Sequence, residues 1–192
     1  MHSHHLLILC VFCSDLKSAN IGFDESGTVK IFDFGIARDM RVVAKSGKPL
    51  GFAGTPRYMA SEIIAGSKGY DLSADVYSFG ILLWEIATCR DPYESIVSLT
   101  QLRRHAVIEG RRPPVAAVRN ASLRKLIDQC WDPNPQNRPS MTEVCRRLDD
   151  ICIGIPTDIV SCRGESALTS LLNKSTSLEA STEISWSLTD VF

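Results

Sequence analysis

Asp15-Leu16-Lys17-Ser18-Ala19-Asn20-Ile21-Gly22-Phe23-Asp24-Glu25-Ser26-Gly27-Thr28-Val29-Lys30-Ile31-Phe32-Asp33-Phe34-Gly35 gathers more chemistry than any other stretch of the chain. It holds a carboxylate (Asp15), an ammonium (Lys17), an amide (Asn20) and a second carboxylate (Asp33). Ile21 and Phe23 lead into Asp24-Glu25-Ser26-Gly27, a turn-forming cluster. Residues 28–32 then alternate with period two, as a half-buried strand does. A hairpin returns its ends to one place, so Asn20 and Asp33 are expected side by side. An amide oxygen beside a carboxylate is a hard oxygen site suited to Mg²⁺, with phosphate oxygens completing the shell. Asp15 is placed to accept a proton from an incoming hydroxyl, and Lys17 to neutralise charge on a transferring phosphoryl group. Four polar residues around a hairpin are also common where no chemistry occurs, so the spacing alone leaves both readings open.

The rest of the composition narrows the class. A chain of 192 residues, 44% of them hydrophobic, can bury one ordinary core. Its formal net charge of −1 lacks the basic field that non-specific nucleic-acid binding needs. The seven cysteines show neither paired zinc spacing nor a disulfide scaffold, and Cys10-x-x-Cys13 stands alone in an apolar run. Reduced thiols in a cytoplasmic protein are the simplest reading. The apolar run 6–12 is too short to span a bilayer. No Lys or Arg precedes it as in a signal peptide, so it is expected as a buried strand or helix end leading into residue 15.

Asp15-Leu16-Lys17-x-x-Asn20, a hairpin and then Asp33-Phe34-Gly35 together resemble the catalytic and metal-binding loops of eukaryotic protein kinases. The resemblance implies that Asp15 is the catalytic aspartate and Asn20 a metal ligand. Asp33 would hold Mg²⁺ against the phosphates of ATP. Lys17, Asn20 and Asp33 would then contact the cofactor. Lys17 follows the serine/threonine pattern, since tyrosine kinases usually carry alanine there. Gly54-Thr55-Pro56-Arg57-Tyr58-Met59-Ala60-Ser61-Glu62 resembles the family's substrate-docking segment, with Ser61 in place of a proline. By that resemblance Thr55 hydrogen-bonds near Asp15 and Lys17 and favours serine or threonine hydroxyls as acceptors.

One departure stands out. His-Arg should precede the catalytic aspartate, and this chain has Cys13-Ser14. The missing arginine would have paired with a phosphate on the activation segment, so ordinary phosphorylation control is in question. Glycines and prolines at 35, 47, 49, 51, 54 and 56 imply that residues 33–62 are loop-like throughout. Ser46, between Lys45 and Lys48, is a candidate phosphosite that reads more simply as a solvated loop serine. Val42-Val43-Ala44-Lys45 superficially matches the small-lobe lysine motif but follows Asp-Phe-Gly, which places it in the wrong lobe.

The remaining chain reads as helical scaffold. Asp71-Leu72-Ser73 offers caps, and residues 74–88 are apolar nearly all round, which means burial. Asp75 is either a first-turn residue favoured by the helix dipole or, by resemblance, the brace beneath the catalytic loop. Residues 94–110 read as an exposed helix with Leu99, Leu102 and Ile108 inward. Asn120 caps a helix whose inner face carries Leu123, Leu126, Ile127 and Cys130. Ser140-Met141-Thr142-Glu143 reads as a capping box, followed by Val144, Cys145, Leu148 and Ile151 at helical spacing. Arg138 would pair with Glu62 by resemblance. Asp75-Val-Tyr-Ser-Phe-Gly-Ile-Leu-Leu-Trp-Glu85 and Trp131-Asp-Pro-Asn-Pro-Gln-Asn-Arg-Pro-Ser140 suggest the tyrosine-kinase-like group.

The expectation is therefore a mainly α fold, a kinase-like large lobe whose short β-hairpin carries the catalytic and metal-binding loops. Residues 1–14 form an atypical apolar lead, 15–153 the lobe, and 154–192 a Ser/Thr-rich, mostly disordered tail. The expected activity is transfer of the γ-phosphoryl group of Mg-ATP to protein serine or threonine. The alternative is a non-catalytic regulatory module built on the same lobe. No Gly-x-Gly-x-x-Gly occurs in the chain, so the small lobe is expected to be missing and the isolated chain inactive, unless a partner chain supplies that lobe.

Overall fold

A computed structural model describes residues 11–46, 51–67 and 69–153. The readings of residues 1–10, of Lys48 and of the 154–192 tail lie outside the described residues. The chain enters through β1 (Val11–Phe12), crosses a 3₁₀ turn at Ser18–Asn20 and forms the hairpin of β2 (Ile21–Phe23) and β3 (Val29–Ile31). The hairpin is antiparallel, with Ile21 opposite Ile31 and Phe23 opposite Val29. Its turn closes as an Asx turn. Asp24 Oδ1 accepts the amides of Ser26 and Thr28, both at 2.9 Å, and Gly27 takes the left-handed φ of 80°.

β4 (Arg38–Asp39) pairs antiparallel with β1, and α1 (Met40–Ser46) follows directly. Two regular elements thus stand where residues 33–62 were expected to be loop throughout. The breakers at 35 and 47 bound the seven residues of α1 rather than exclude a helix, because no glycine or proline falls inside it. Arg41 donates to both carboxylate oxygens of Asp39, at 3.0 and 2.6 Å, which ties the first turn of α1 to β4.

α2 (Ser61–Ile64) precedes α3 (Ser73–Thr88), the axis of the molecule. Residues 74–82 and Trp84 of α3 are buried, so the helix has scarcely any solvent face. One side, through Tyr77, Ile81 and Trp84, packs with Tyr58, Met59 and Trp131. The opposite side, through Val76, Phe79 and Leu82, packs with Leu16, Ile31 and Leu126. Two apolar clusters meeting on one helix explain why its sequence shows almost no amphipathic period.

The reading of 94–110 is corrected. α4 (Leu99–Leu102), capped by Ser98, gives way to a π-helical turn at Arg103–Ile108. The wider turn rotates the residues after it, so Leu102 and Ala106 are buried while Ile108 is 75% exposed and Leu99 44% exposed. α5 (Ala121–Cys130) begins at Asn120, whose Oδ1 accepts the Leu123 amide at 3.0 Å. α6 (Met141–Ile153) begins at Ser140, whose Oγ accepts the Glu143 amide at 3.2 Å. The capping box is only half made. Glu143 turns its carboxylate to Arg146, at 2.8 and 2.9 Å, instead of reaching back.

α3 and α5 touch at Gly80, where an added Cβ would lie 2.7 Å from the Cys130 Cβ. Gly80→Ala should therefore destabilise the fold. Overpacking costs ~1–3 kcal/mol, against a helix-propensity gain of at most ~1 kcal/mol. A fall in the urea midpoint with an unchanged slope checks this, and a rise would mean that the helices separate freely.

Candidate active site

The site is assembled on a buried carboxylate. Asp75, on the first turn of α3, accepts the amide of Cys13 at Oδ2 (2.6 Å) and that of Ser14 at Oδ1 (3.2 Å). Burial pushes its carboxyl up to about 7, against the two N–H bonds, which favour the charged form. Held this way, Ser14 adopts the left-handed φ of 68°, which turns the chain into residue 15. Gly54, itself at φ 110°, lies against the Ser14 carbonyl oxygen so closely that a Cβ there would collide with it. This contact brings the 54–62 segment onto the 13–15 backbone.

Asp15 is then surrounded by donors. Its Oδ1 accepts the Thr55 amide at 2.7 Å; its Oδ2 accepts Lys17 Nζ at 2.7 Å and Asn20 Nδ2 at 3.3 Å. Lys17 Nζ also donates to Thr55 Oγ1 at 2.8 Å, so one ammonium bridges the loop and the incoming segment. Burial raises the Asp15 pKa, but the bonds from Lys17 and Thr55 outweigh it, and the carboxyl lies below its ordinary value. Asp15 is therefore ionised at neutral pH.

Asn20 is buried and donates through Nδ2 to the Asp15 carbonyl oxygen at 2.9 Å. That bond fixes the amide and leaves Oδ1 as the group available to a cation. Phe32 N donates to Asn20 O at 2.8 Å, so the hairpin ladder runs one step past β2, and Asp33 comes directly after. Asp33 has a left-handed φ of 59°, and its Oδ1 accepts a long bond from the Gly35 amide, 3.3 Å. Buried Cys13 lies close enough to feel Asp75, Asp15 and Asp33. Burial first, then those charges, push its thiol up to about 12. Among the described residues no three or more His, Cys, Asp or Glu converge on one point. An open pair of hard oxygens such as Asn20 Oδ1 and Asp33 suits Mg²⁺, which keeps waters and takes ligand phosphates.

Two anchors hold the far end of the 54–62 segment. Arg138 donates from its two terminal nitrogens to Glu62 at 2.7 and 2.8 Å, and also to the carbonyls of Asp132 (2.9 Å) and Ser73 (3.0 Å). Its side chain is 0% exposed and that of Glu62 15%. The second anchor went unread in the sequence. Glu85 accepts Tyr58 OH at 2.7 Å and Ser18 Oγ at 2.9 Å, joining α3, the segment and the 3₁₀ turn. A lone carboxylate in an otherwise apolar helix was the available signal. Arg57 adds bonds to the carbonyls of Pro92 (3.2 Å) and Ile96 (3.1 Å).

The family model described as the protein kinase domain matches residues 1–148. The chain belongs to the protein kinase family. The dual specificity protein kinases shkD and shkC of Dictyostelium discoideum are 42% and 41% identical to it, over 76% and 72% of the chain. A serine/threonine-protein kinase of Arabidopsis thaliana is 39% identical over 71% of the chain. The matches span only 19%, 27% and 23% of those relatives' own lengths. No helix among the described residues of this kinase domain is long and apolar enough to cross a membrane.

Arg138→Ala should cost the kinase domain roughly 3–5 kcal/mol, because it strands Glu62 beside a vacated pocket. Urea unfolding checks the cost, and a change under about 1 kcal/mol, the size of an exposed pair, would show that the pair is dispensable. Asp75 gives a pH signature. Its folded pKa lies above the unfolded value, so its stabilisation is complete below about pH 4 and is lost as pH rises through about 7. The stability difference between the native chain and Asp75→Asn should shift against the native chain over that window. A difference that is flat with pH would contradict the burial effect.

Proposed function

We infer that residues 15–153 are the large lobe of a serine/threonine protein kinase of the tyrosine-kinase-like group, which transfers the γ-phosphoryl group of Mg-ATP to a protein hydroxyl. The observation that carries this reading is the single ammonium of Lys17 bonded to both Asp15 (2.7 Å) and Thr55 (2.8 Å). It brings a charge-neutralising group, a proton acceptor and the substrate-docking segment into contact. Support for the group comes from the wording of residues 75–85 and 131–140. Support for serine and threonine as acceptors comes from Lys17 and Thr55, and from the names of relatives, some serine/threonine and some dual specificity.

In this reading the substrate hydroxyl enters beside Asp15, whose ionised carboxylate takes its proton as the oxygen bonds to phosphorus and ADP departs. Lys17 neutralises charge growing on the phosphoryl oxygens. Asn20 Oδ1 and the Asp33 carboxylate would hold Mg²⁺, which when bound offsets the phosphate charge. Gly54 and Thr55 keep the substrate segment against the loop, and Asp75, Glu62 and Arg138 keep the frame rigid.

General-base help supplies only about 10²–10⁴ in rate, and most of the remainder is nucleotide positioning. These 192 residues carry no glycine-rich phosphate loop, so assayed by themselves they form the floor of an ATP site and should turn over slowly. A small-lobe-bearing partner chain would complete that site. The test is ATP binding and labelling of serine, threonine and tyrosine peptides, with Asp15→Asn and Asp33→Ala beside the native chain. Weak, Mg²⁺-dependent binding lost in Asp33→Ala, with slow serine or threonine labelling lost in both variants, is the expected result. Mg²⁺-independent binding equal in native and Asp33→Ala chains would overturn the metal site. Fast turnover would overturn the floor-only account.

A further inference from the structure

The π-helical turn builds a surface that the phosphoryl-transfer reading does not use. Leu99, Arg103 and Ile108 fall one below another along α4 and the π turn, at spacings of four and five residues. Arg104 and Arg111 flank them, with side chains 77% and 65% exposed. Both share one carboxylate, Glu109, at 3.0 and 3.2 Å, while Arg103 donates to the Ala65 carbonyl at 3.4 Å. Three guanidinium groups against one carboxylate leave a net positive face, with exposed leucine and isoleucine at its two ends. Such a face suits an acidic segment with spaced apolar residues.

The chain itself contains such a segment. Residues 179–192 carry Glu179, Glu183 and Asp190 and no Lys or Arg. Within them Ile184, Trp186 and Leu188 alternate with Ser185, Ser187 and Thr189. In an extended form, Ile184 and Leu188 would stand about 13 Å apart at ~3.3 Å per residue. Leu99 and Ile108 are separated by a comparable distance, roughly 12–14 Å along a helix axis. Residues 154–178 intervene, and 25 residues reach as far as about 80 Å. A domain of this size has a radius of gyration of about 14 Å, so reach is no obstacle.

We propose that residues 179–192 dock on the face formed by Leu99, Arg103, Arg104, Ile108 and Arg111, in the same chain. The charges match in sign and nearly in number, and the apolar residues match in spacing. Trp186 would lie between the two apolar ends, over Arg103 and Arg104, where an indole and a guanidinium attract each other.

Trp186 is also the probe. Trp84 and Trp131 are each only 2% exposed, so emission that neutral acrylamide quenches in the full-length chain belongs to Trp186. A Trp186→Phe chain gives the baseline. Docking predicts slow quenching in the native chain, independent of protein concentration. Quenching should rise several-fold in an Arg103→Glu, Arg104→Glu, Arg111→Glu chain. It should rise equally in a Glu179→Gln, Glu183→Gln, Asp190→Asn chain, whose changes leave residues 11–153 untouched. Quenching equally fast in the native chain and both variants would overturn the proposal. So would protection that disappears on dilution, which would mean docking on a second copy.

Discussion

The Asp75 carboxylate is the constraint on which the site depends. It sits on the first turn of a helix that is buried on both sides, and there it accepts the amides of Cys13 and Ser14. Those two bonds hold Ser14 in the left-handed region, and the Ser14 carbonyl in turn receives Gly54. With Gly54 in place, the Thr55 amide reaches Asp15 and the Thr55 hydroxyl reaches Lys17. Each step is local in space, yet the bonds connect positions some sixty residues apart, as the Cys13–Asp75 bond does. Burying a carboxylate is costly, which is why its pKa rises. The cost is tolerated because both oxygens are bonded.

A second, independent frame holds the other end of the substrate segment. Arg138 satisfies Glu62 and two backbone carbonyls from a fully buried position, and its guanidinium lies 5.0 Å from the centre of the Tyr77 ring. Arg112 lies 5.1 Å from the same ring. Five donors in a planar fork do what a lysine cannot, since an ammonium has three donors and no flat face to set over an aromatic ring. The frame therefore joins electrostatics to packing, and α3 carries both through Tyr77 and Asp75.

Much of this was legible in the sequence because it is periodic or local. The 21–31 hairpin, the buried 73–88 helix and the Asn120 and Ser140 helix starts all rest on neighbours within a few residues. What escaped was of another kind. α1 was hidden because glycines were taken to exclude structure that they only bound. The π turn at 103–108 put Ala106 inside and Ile108 outside, since an inward residue assigned at the α period falls out of phase when a turn widens. Glu143 prefers the guanidinium of Arg146 to the amide it was expected to cap. The Ser18–Tyr58–Glu85 bonds join residues 27 to 67 positions apart, and nothing local in the sequence signals such pairings.

Amide hydrogen exchange at Cys13, Ser14 and Thr55 tests the central claim most directly. If one carboxylate on α3 fixes the loop, these amides in the native chain exchange as slowly as those of the buried core. In Asp75→Ser all three should exchange much faster, while the amides of Leu126 and Val144 in α5 and α6 keep their protection. Unchanged protection at all three in that variant would contradict the account, because the loop would then hold its shape without Asp75.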